Sequence, residues 1–319
     1  MSKHEVIGIG SAWVNRVAHA SANRLQAHAL TAGSVVKVDR QRYRTLCTEY
    51  HDVFQYAGGS VANTLVALSR LQRSVGFVGK ASLDADGLFF LNDLSANGVD
   101  ILLKPNDMDL ATSGCLYLYS GDAQVTKAVH LGVSKTLGLS DMSMSDVISA
   151  RVLLIEADIL DMPHLDQWLA SVVDLAKKSQ TMMVLVLSNK YVVSRRRDYL
   201  IDLLGCVDLV AGNEVEFEAL LNTQSVTKIV DAVAHLPVSI LMTRSSDGAT
   251  VVRQGEVTEY PASPCQFIDA TAAGDYYLAG YLHGFLNACS LAQAMSLGSH
   301  MASQVCAVRG SRCRVAIDV

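Results

Sequence analysis

The apolar residues of this chain fall into short unbroken runs: EVIGIG (5–10), VGFVG (75–79), RVLLI (151–155), MMVLVL (182–187), VDLVA (207–211) and VSILMT (238–243). Runs of this length without polar alternation predict strands buried on both faces. Between them, VANTLVALSRL, GLFFLNDLSANG, HLDQWLASVVDLAKK, EVEFEALL and VTKIVDAVAHL read as helices. In 164–178 the apolar positions 165, 168, 169, 172, 173 and 176 share one helical face. Buried strands alternating with amphipathic helices predict an α/β fold whose central, mostly parallel sheet is flanked by helices.

Two segments break the rhythm. Residues 13–56 and 101–131 are richer in polar and β-prone residues, and GCLYLYSGDAQVTKAVHL reads as a hairpin around SGDA. They predict a small β-sheet lid belonging to a single domain over 1–319. After residue 274 the pattern is that of two long helices, roughly 274–288 and 290–307.

Composition narrows the function. Half of the 319 residues are hydrophobic, which suits a sizeable core, and the formal charge of −5 offers no basic surface for nucleic acid. Seven scattered cysteines without CxxC spacing read as free thiols of a reducing compartment. The opening MSKHEVIGIGSAW lacks the long apolar region of a signal peptide, and MMVLVL falls far short of the ~20 residues of a membrane span. The expectation is a cytoplasmic protein without membrane or nucleic-acid partners.

Chemistry concentrates in three stretches. In DATAAGD (269–275) two aspartates flank small residues just before a helix. Small residues let backbone N–H groups converge, and a helix N-terminus adds its positive dipole end. The N–H groups of Ala272, Ala273 and Gly274 would then form an anion hole. Asp275, at the helix start, could take the proton of an attacking hydroxyl during phosphoryl transfer. The bland alternative is that Asp275 serves the helix dipole and Gly274 allows close packing. In YAGGSVANTLVALSRL (56–71), Gly58 and Gly59 bring backbone near a ligand, and the Asn63 amide can donate to and accept from a sugar hydroxyl. In AGNEVEFEALL (211–221), Asn213 and Glu216 follow a strand, where ligands of parallel sheets collect. Glu216 could organise Mg²⁺ through water, while Asn213 with the following acidic residues also reads as an ordinary helix cap. VIGIGSAW has Trp13 where a dinucleotide fingerprint needs glycine, and SVGFVGKAS lacks the first glycine and final hydroxyl of a P-loop. HExxH, zinc-spaced Cys/His clusters and GxSxG are absent from the sequence.

Taken in order, GIGSAWVN, AGGSVAN, GFVGKASLDADG, Glu156 after VLLI, NEVE, TRSSDGA and DATAAGD resemble the ribokinase, or pfkB, family of carbohydrate kinases over nearly the whole chain. The segment 16–55 ahead of the glycine pair looks more like the adenosine-kinase-like branch. The resemblance implies a ribokinase-like fold and ATP-dependent phosphorylation of a primary hydroxyl on a sugar or nucleoside, with Mg²⁺. Asp275 would be the catalytic base, with 272–274 as the anion hole. Ser11, Asn15, Gly58, Gly59, Asn63 and Glu156 would meet the acceptor. Asn213, Thr243, Ser245, Asp247 and Gly248 would lie along the nucleotide, with 287–303 flanking the adenine. Glu216 would serve the Mg²⁺, and Asp269 would support a monovalent cation such as K⁺, as in many members. The family also makes a homodimer through the lid an expectation. Three positions depart from the family pattern: Asn15 stands where members usually carry Asp, Ser11 where they carry Asn and Ala270 where they carry Thr; Ala272, where Gly is commoner, also occurs in ribokinases. The acceptor pocket is therefore atypical. A catalytically weak or inactive member that binds nucleotide or sugar as a regulator is the competing reading.

Overall fold

A computed structural model describes residues 4–50, 54–103, 105, 110–121, 124–161 and 165–313. Its strands are β1 (Val6–Ile9), β2 (Trp13–His19), β3 (Val35–Lys37), β4 (Phe54–Gly58), β5 (Val75–Val78), β6 (Asp100–Ile101) and β7 (Ser113–Tyr119). They continue with β8 (Val125–His130), β9 (Val152–Glu156), β10 (Met182–Val186), β11 (Leu209–Asn213), β12 (Ser239–Thr243), β13 (Ala249–Arg253) and β14 (Glu256–Tyr260). Nine of them form one sheet in the order β14-β13-β12-β11-β10-β9-β1-β5-β6. Every pairing from β6 to β12 is parallel; β13 and β14 add antiparallel at one edge.

All six apolar runs became strands of the parallel part. Their side chains alternate between two apolar layers, which explains the absence of polar alternation. Val152, Leu154, Val184 and Val186 face the layer built with helices Ser60–Arg70, Ala273–Leu286 and Leu291–Cys306. Leu153, Ile155, Met183 and Leu185 face the layer built with helices Leu165–Ser179, Arg197–Leu204, Glu214–Leu221 and Val226–Val233.

The second sheet has the order β3-β8-β7-β2-β4 and its own small core, including Leu25, Tyr43, Leu46, Leu116 and Leu118. It is the expected lid. The β7–β8 hairpin is antiparallel as expected, and residues 122–123 of its turn lie outside the described residues. Two helices inside the lid segment, Ala22–Ala27 and Arg40–Glu49, were not expected, although Ser21 and Asp39 cap them by accepting from the N–H groups of Arg24 and Arg42. Ile101, at the start of the second lid segment, pairs instead at the edge of the large sheet. Arg16 of β2 donates to Asp86 at 3.0 Å, and Lys37 of β3 to Asp161 at 3.2 Å, so charged contacts join the lid to the main layers on two sides.

All seven cysteines are free thiols. Among the described residues no helix is long and apolar enough to cross a membrane.

Candidate active site

A cleft of about 1470 Å³ runs between the lid and the carboxyl ends of the parallel strands, where loops leave a parallel sheet and ligands gather. The last residue of β9, the last three of β11, the loop after β12 and the start of helix Ala273–Leu286 all reach it.

The DATAAGD turn is built to open a helix onto this cleft. Asp269 Oδ1 accepts from the N–H and hydroxyl of Thr271 at 2.9 and 2.7 Å, and Oδ2 accepts from the Gly310 N–H at 2.9 Å. Ala272 then takes φ +65°, a left-handed conformation costing about 1 kcal/mol for a residue with a Cβ. The Ala273 N–H turns back onto the Ala270 carbonyl at 3.1 Å. The expected trio of anion-hole donors is thus reduced, because Ala273 is already used within the turn. Gly274 and Asp275 occupy the first helical turn, whose N–H groups have no intrahelical acceptor. Gly274 is exposed to the cleft. A Cβ built on it would have only Thr243 Oγ1 within 4 Å, at 3.6 Å, so close packing does not demand glycine here. Its smallness keeps the cleft clear.

Asp275 Oδ2 accepts from the Asn63 amide at 2.7 Å, and Asn63 Oδ1 accepts from Arg312 Nη1 at 2.6 Å. Burial raises the Asp275 carboxyl from its ordinary 3.8 to about 6, against the pull of Asn63, Ser60 and Arg312. Asn63 does line the cleft, but Asp275 and Arg312 take its carbonyl and one N–H. These bonds set it beside Asp275, and its second N–H is left for the expected sugar hydroxyl.

The acceptor residues divide. Asn15 and Gly59 line the cleft; Ser11 is 1% exposed and, with Gly58, stands behind its wall. Gly58 makes room for the Asn15 amide nitrogen, which would collide with a Cβ there. Gly59 has φ +96° and approaches the Ser11 carbonyl, so both glycines are required by the chain itself. Glu156 lines the cleft, yet its two oxygens accept from the N–H groups of Ser11 at 2.9 Å and Ser60 at 2.7 Å. It staples the turn after β1 to the start of helix Ser60–Arg70. Burial and the neighbouring Asp158 push its carboxyl upward.

The residues expected along a nucleotide, Asn213, Thr243, Ser245, Asp247 and Gly248, all line the cleft. Asn213 and Glu216 form a reciprocal cap: Oδ1 accepts from the Glu216 N–H at 3.0 Å, and Glu216 Oε2 from the Asn213 N–H at 2.9 Å. The ordinary capping reading is therefore real, and Glu216 still borders the cleft. Burial, then the charges of Asp275 and Asp158, raise its carboxyl to about 7.

Several lining residues escaped sequence reasoning. Asp158 follows Glu156 by two positions; its side chain hydrogen-bonds Asn189, and its buried Oδ1 has no hydrogen-bond partner among the described residues. Lys127 of β8 lies 4.9 Å from the Tyr117 ring centre, bringing a cation to the lid side. Arg244, within the 243–248 stretch expected over the nucleotide but not singled out, borders the cleft and donates to Glu259 at 2.8 Å. The spacing E-A-D at a strand end was the one available signal for Asp158.

Comparison with known proteins agrees with this geometry. Residues 28–315 match the pfkB family carbohydrate kinase model. A 5-dehydro-2-deoxygluconokinase of Clostridium perfringens is 23% identical over 273 residues, covering 82% of this chain and 81% of the relative. A ribokinase of Staphylococcus aureus is 22% identical, covering 82% and 85%. The crystal structure of adenosine kinase from Sinorhizobium meliloti superposes with a TM-score of 0.90 at 27% identity, covering 99% of this chain and 97% of that one. A probable sugar kinase from Rhizobium etli gives the same TM-score at 24% identity. The chain belongs to the pfkB family of carbohydrate kinases, phosphotransferases that act on an alcohol group.

Proposed function

We propose that this protein transfers the γ-phosphoryl group of ATP to a primary hydroxyl of a sugar or nucleoside, with Asp275 as the general base. The observation that carries this reading is Asp275 itself: a carboxylate at a helix N-terminus, beside first-turn N–H groups, on the floor of a cleft large enough for two substrates. The acceptor lies under the lid, near Asn15, Gly59 and the lid side chains. The triphosphate lies along Asn213 and 243–248. Asp275 takes the hydroxyl proton as the oxygen attacks the γ-phosphorus, and the N-terminal amides face the oxygens on which charge accumulates.

Mg²⁺ fits this cleft. Asp275, Glu156, Asp158 and Glu216 line it, so a polyanionic triphosphate entering there needs a counter-cation. No group of three or more His, Cys, Asp or Glu able to hold a metal exists among the described residues. That is the pattern expected when Mg²⁺ arrives on the phosphates and keeps most of its water, with Glu216 beside it. When bound it would neutralise phosphate charge and orient the chain of phosphates. The Asp269 donor set does not fit a monovalent cation as directly, because three protein donors already point at its carboxylate.

The test is ATP consumption with Mg²⁺ across a panel of sugars, sugar acids and nucleosides. Turnover with at least one supports the kinase; saturable binding without turnover on all of them supports the regulator reading instead.

Asn15 makes the acceptor side testable separately. Its side chain hydrogen-bonds the Tyr56 hydroxyl, and its amide nitrogen lies against Gly58. An aspartate there would accept from two hydroxyls at once. Asn15→Asp is expected to lower KM for a vicinal diol about fivefold, equivalent to ~1 kcal/mol, without changing KM for ATP. An acceptor that presents an oxygen to the Asn15 amide would show the opposite sign. Identical KM values for every accepted substrate would remove Asn15 from the pocket.

A further inference from the structure

Arg312 lies near the end of the described chain, far in sequence from every motif of the site, yet it stands two hydrogen bonds from the reacting carboxylate. Its side chain is 12% exposed, and the guanidinium is anchored on two sides. Nε and Nη2 both reach Asp93 Oδ2 at 2.8 Å, and Nη1 donates to the Ser311 carbonyl and hydroxyl at 3.0 Å. The same Nη1 donates to Asn63 Oδ1 at 2.6 Å, and the Asn63 NH₂ donates to Asp275 Oδ2 at 2.7 Å.

An asparagine amide can present either end to a neighbour, and the neighbours decide which. Arginine carries donors only and does not lose its charge, so it accepts nothing from an NH₂ group. The Asn63 carbonyl must therefore face Arg312, and its NH₂ must face Asp275. A flipped amide would set NH₂ against guanidinium and carbonyl against carboxylate, two repulsive contacts in place of two charge-assisted hydrogen bonds. We propose that Arg312 is a positioning residue for Asp275, acting through Asn63 so that a donor always occupies Oδ2 and the carboxylate stays in one orientation. The proposal rests on Asp275 being the general base. Oδ2 is thereby held, and the acceptor proton goes to the other carboxylate oxygen.

The competing role for Arg312 is purely architectural: tying the chain near residue 312 to helix Ala85–Ala96 through Asp93. The two roles differ in what they do to the Asp275 proton. The groups that act on it are Asn63 and Ser60 from helix Ser60–Arg70, Arg312 from the chain behind, Glu156 at the end of β9 and Glu216 from helix Glu214–Leu221. The first three favour the ionised form, and the two carboxylates oppose it. Loss of Arg312 removes a positive charge and releases the amide to flip, and both changes hold the proton more tightly.

The experiment is a pH titration of the full chain labelled with ¹³C-carboxyl aspartate, the Asp275 resonance being identified by its loss in Asp275→Asn. Arg312→Gln, whose amide can accept as well as donate, is expected to move the Asp275 midpoint upward by about one pH unit, tenfold in proton affinity. Arg312→Lys, which keeps the charge, should restore most of that change. The acid limb of turnover should move with it: about fivefold loss near pH 6, recovery by pH 9, and an unchanged KM for ATP. A folded Arg312→Gln protein whose Asp275 midpoint stays within about 0.2 of the wild type overturns the proposal. Should Arg312→Gln fail to fold, Asn63→Ala breaks the relay while leaving the Arg312–Asp93 anchor, and an unchanged midpoint there overturns it equally. Asp275→Asn with intact turnover would instead refute the general base, which the titration distinguishes.

Discussion

Replacing Asp275 by Asn is expected to lower kcat at least ~10²-fold while making the protein more stable at alkaline pH. The first effect follows from losing the carboxylate proposed to take the hydroxyl proton, within the usual range for a general base. The second follows from the same environment read thermodynamically. The folded-state value of about 6 lies above the ordinary 3.8, so the folded protein holds this proton more tightly than the unfolded chain. The associated stability is fully present below pH ~4 and is lost as pH rises through 6. An amide escapes that loss and still accepts from Asn63. Discounted for partial exposure, the gain at pH 8 should be about 1–2 kcal/mol and should vanish toward pH 4. Denaturant unfolding at the two pH values, beside steady-state kinetics, checks both halves. A variant that loses activity and also loses stability at pH 8 would mean that Asp275 is held by contacts the geometry does not reveal. The wild type should correspondingly show an acid limb in its kcat profile near pH 6.

Gly274→Val should act on the other substrate. Gly274 is exposed, and the side chain built there enters the space before Thr243 rather than any packed layer. The two methyl groups would stand between the first-turn N–H groups and a phosphate, keeping the backbone at arm's length. The expected result is ATP affinity weakened by at least ~10-fold, since charge-assisted hydrogen bonds of about 1.5–3 kcal/mol are lost. Folding should be nearly unaffected. Calorimetric titration with Mg-ATP reads the first, and a thermal melt the second. Wild-type affinity in the valine variant would place the phosphates elsewhere.

The large sheet was legible because six of its seven parallel strands are local objects: a short apolar run needs both faces covered, and alternating helices supply the cover. The lid hairpin was equally legible from the β-prone residues around SGDA. The β13–β14 hairpin was passed over because its first residue, Ala249, closes TRSSDGA, although Gln254 and Gly255, both at positive φ, mark a tight turn. The turn and helix start at 269–275 were readable because one motif holds all their parts. Contacts with distant partners were not. The hydrogen bond from Arg312 to Asn63, 249 residues away, leaves no periodic or motif trace. Glu156 was read only as an acceptor contact, and its bonds to two backbone N–H groups, one of them Ser11's, 145 residues away, had no signal in the sequence. Glu216 shows the opposite case: the local capping pattern predicted its hydrogen bonds, and only the fold shows that it also borders the cleft.

The central claim is phosphoryl transfer from ATP to a hydroxyl under the control of Asp275. It is tested most directly by ³¹P NMR of the protein with Mg-ATP and each acceptor of the panel, for the wild type and Asp275→Asn. The account predicts ADP and a new phosphate monoester of the acceptor in equal amounts from the wild type, with the ester signal growing at least ~10²-fold more slowly in the variant. ADP accompanied only by inorganic phosphate, or an ester formed at the same rate by both proteins, would contradict it.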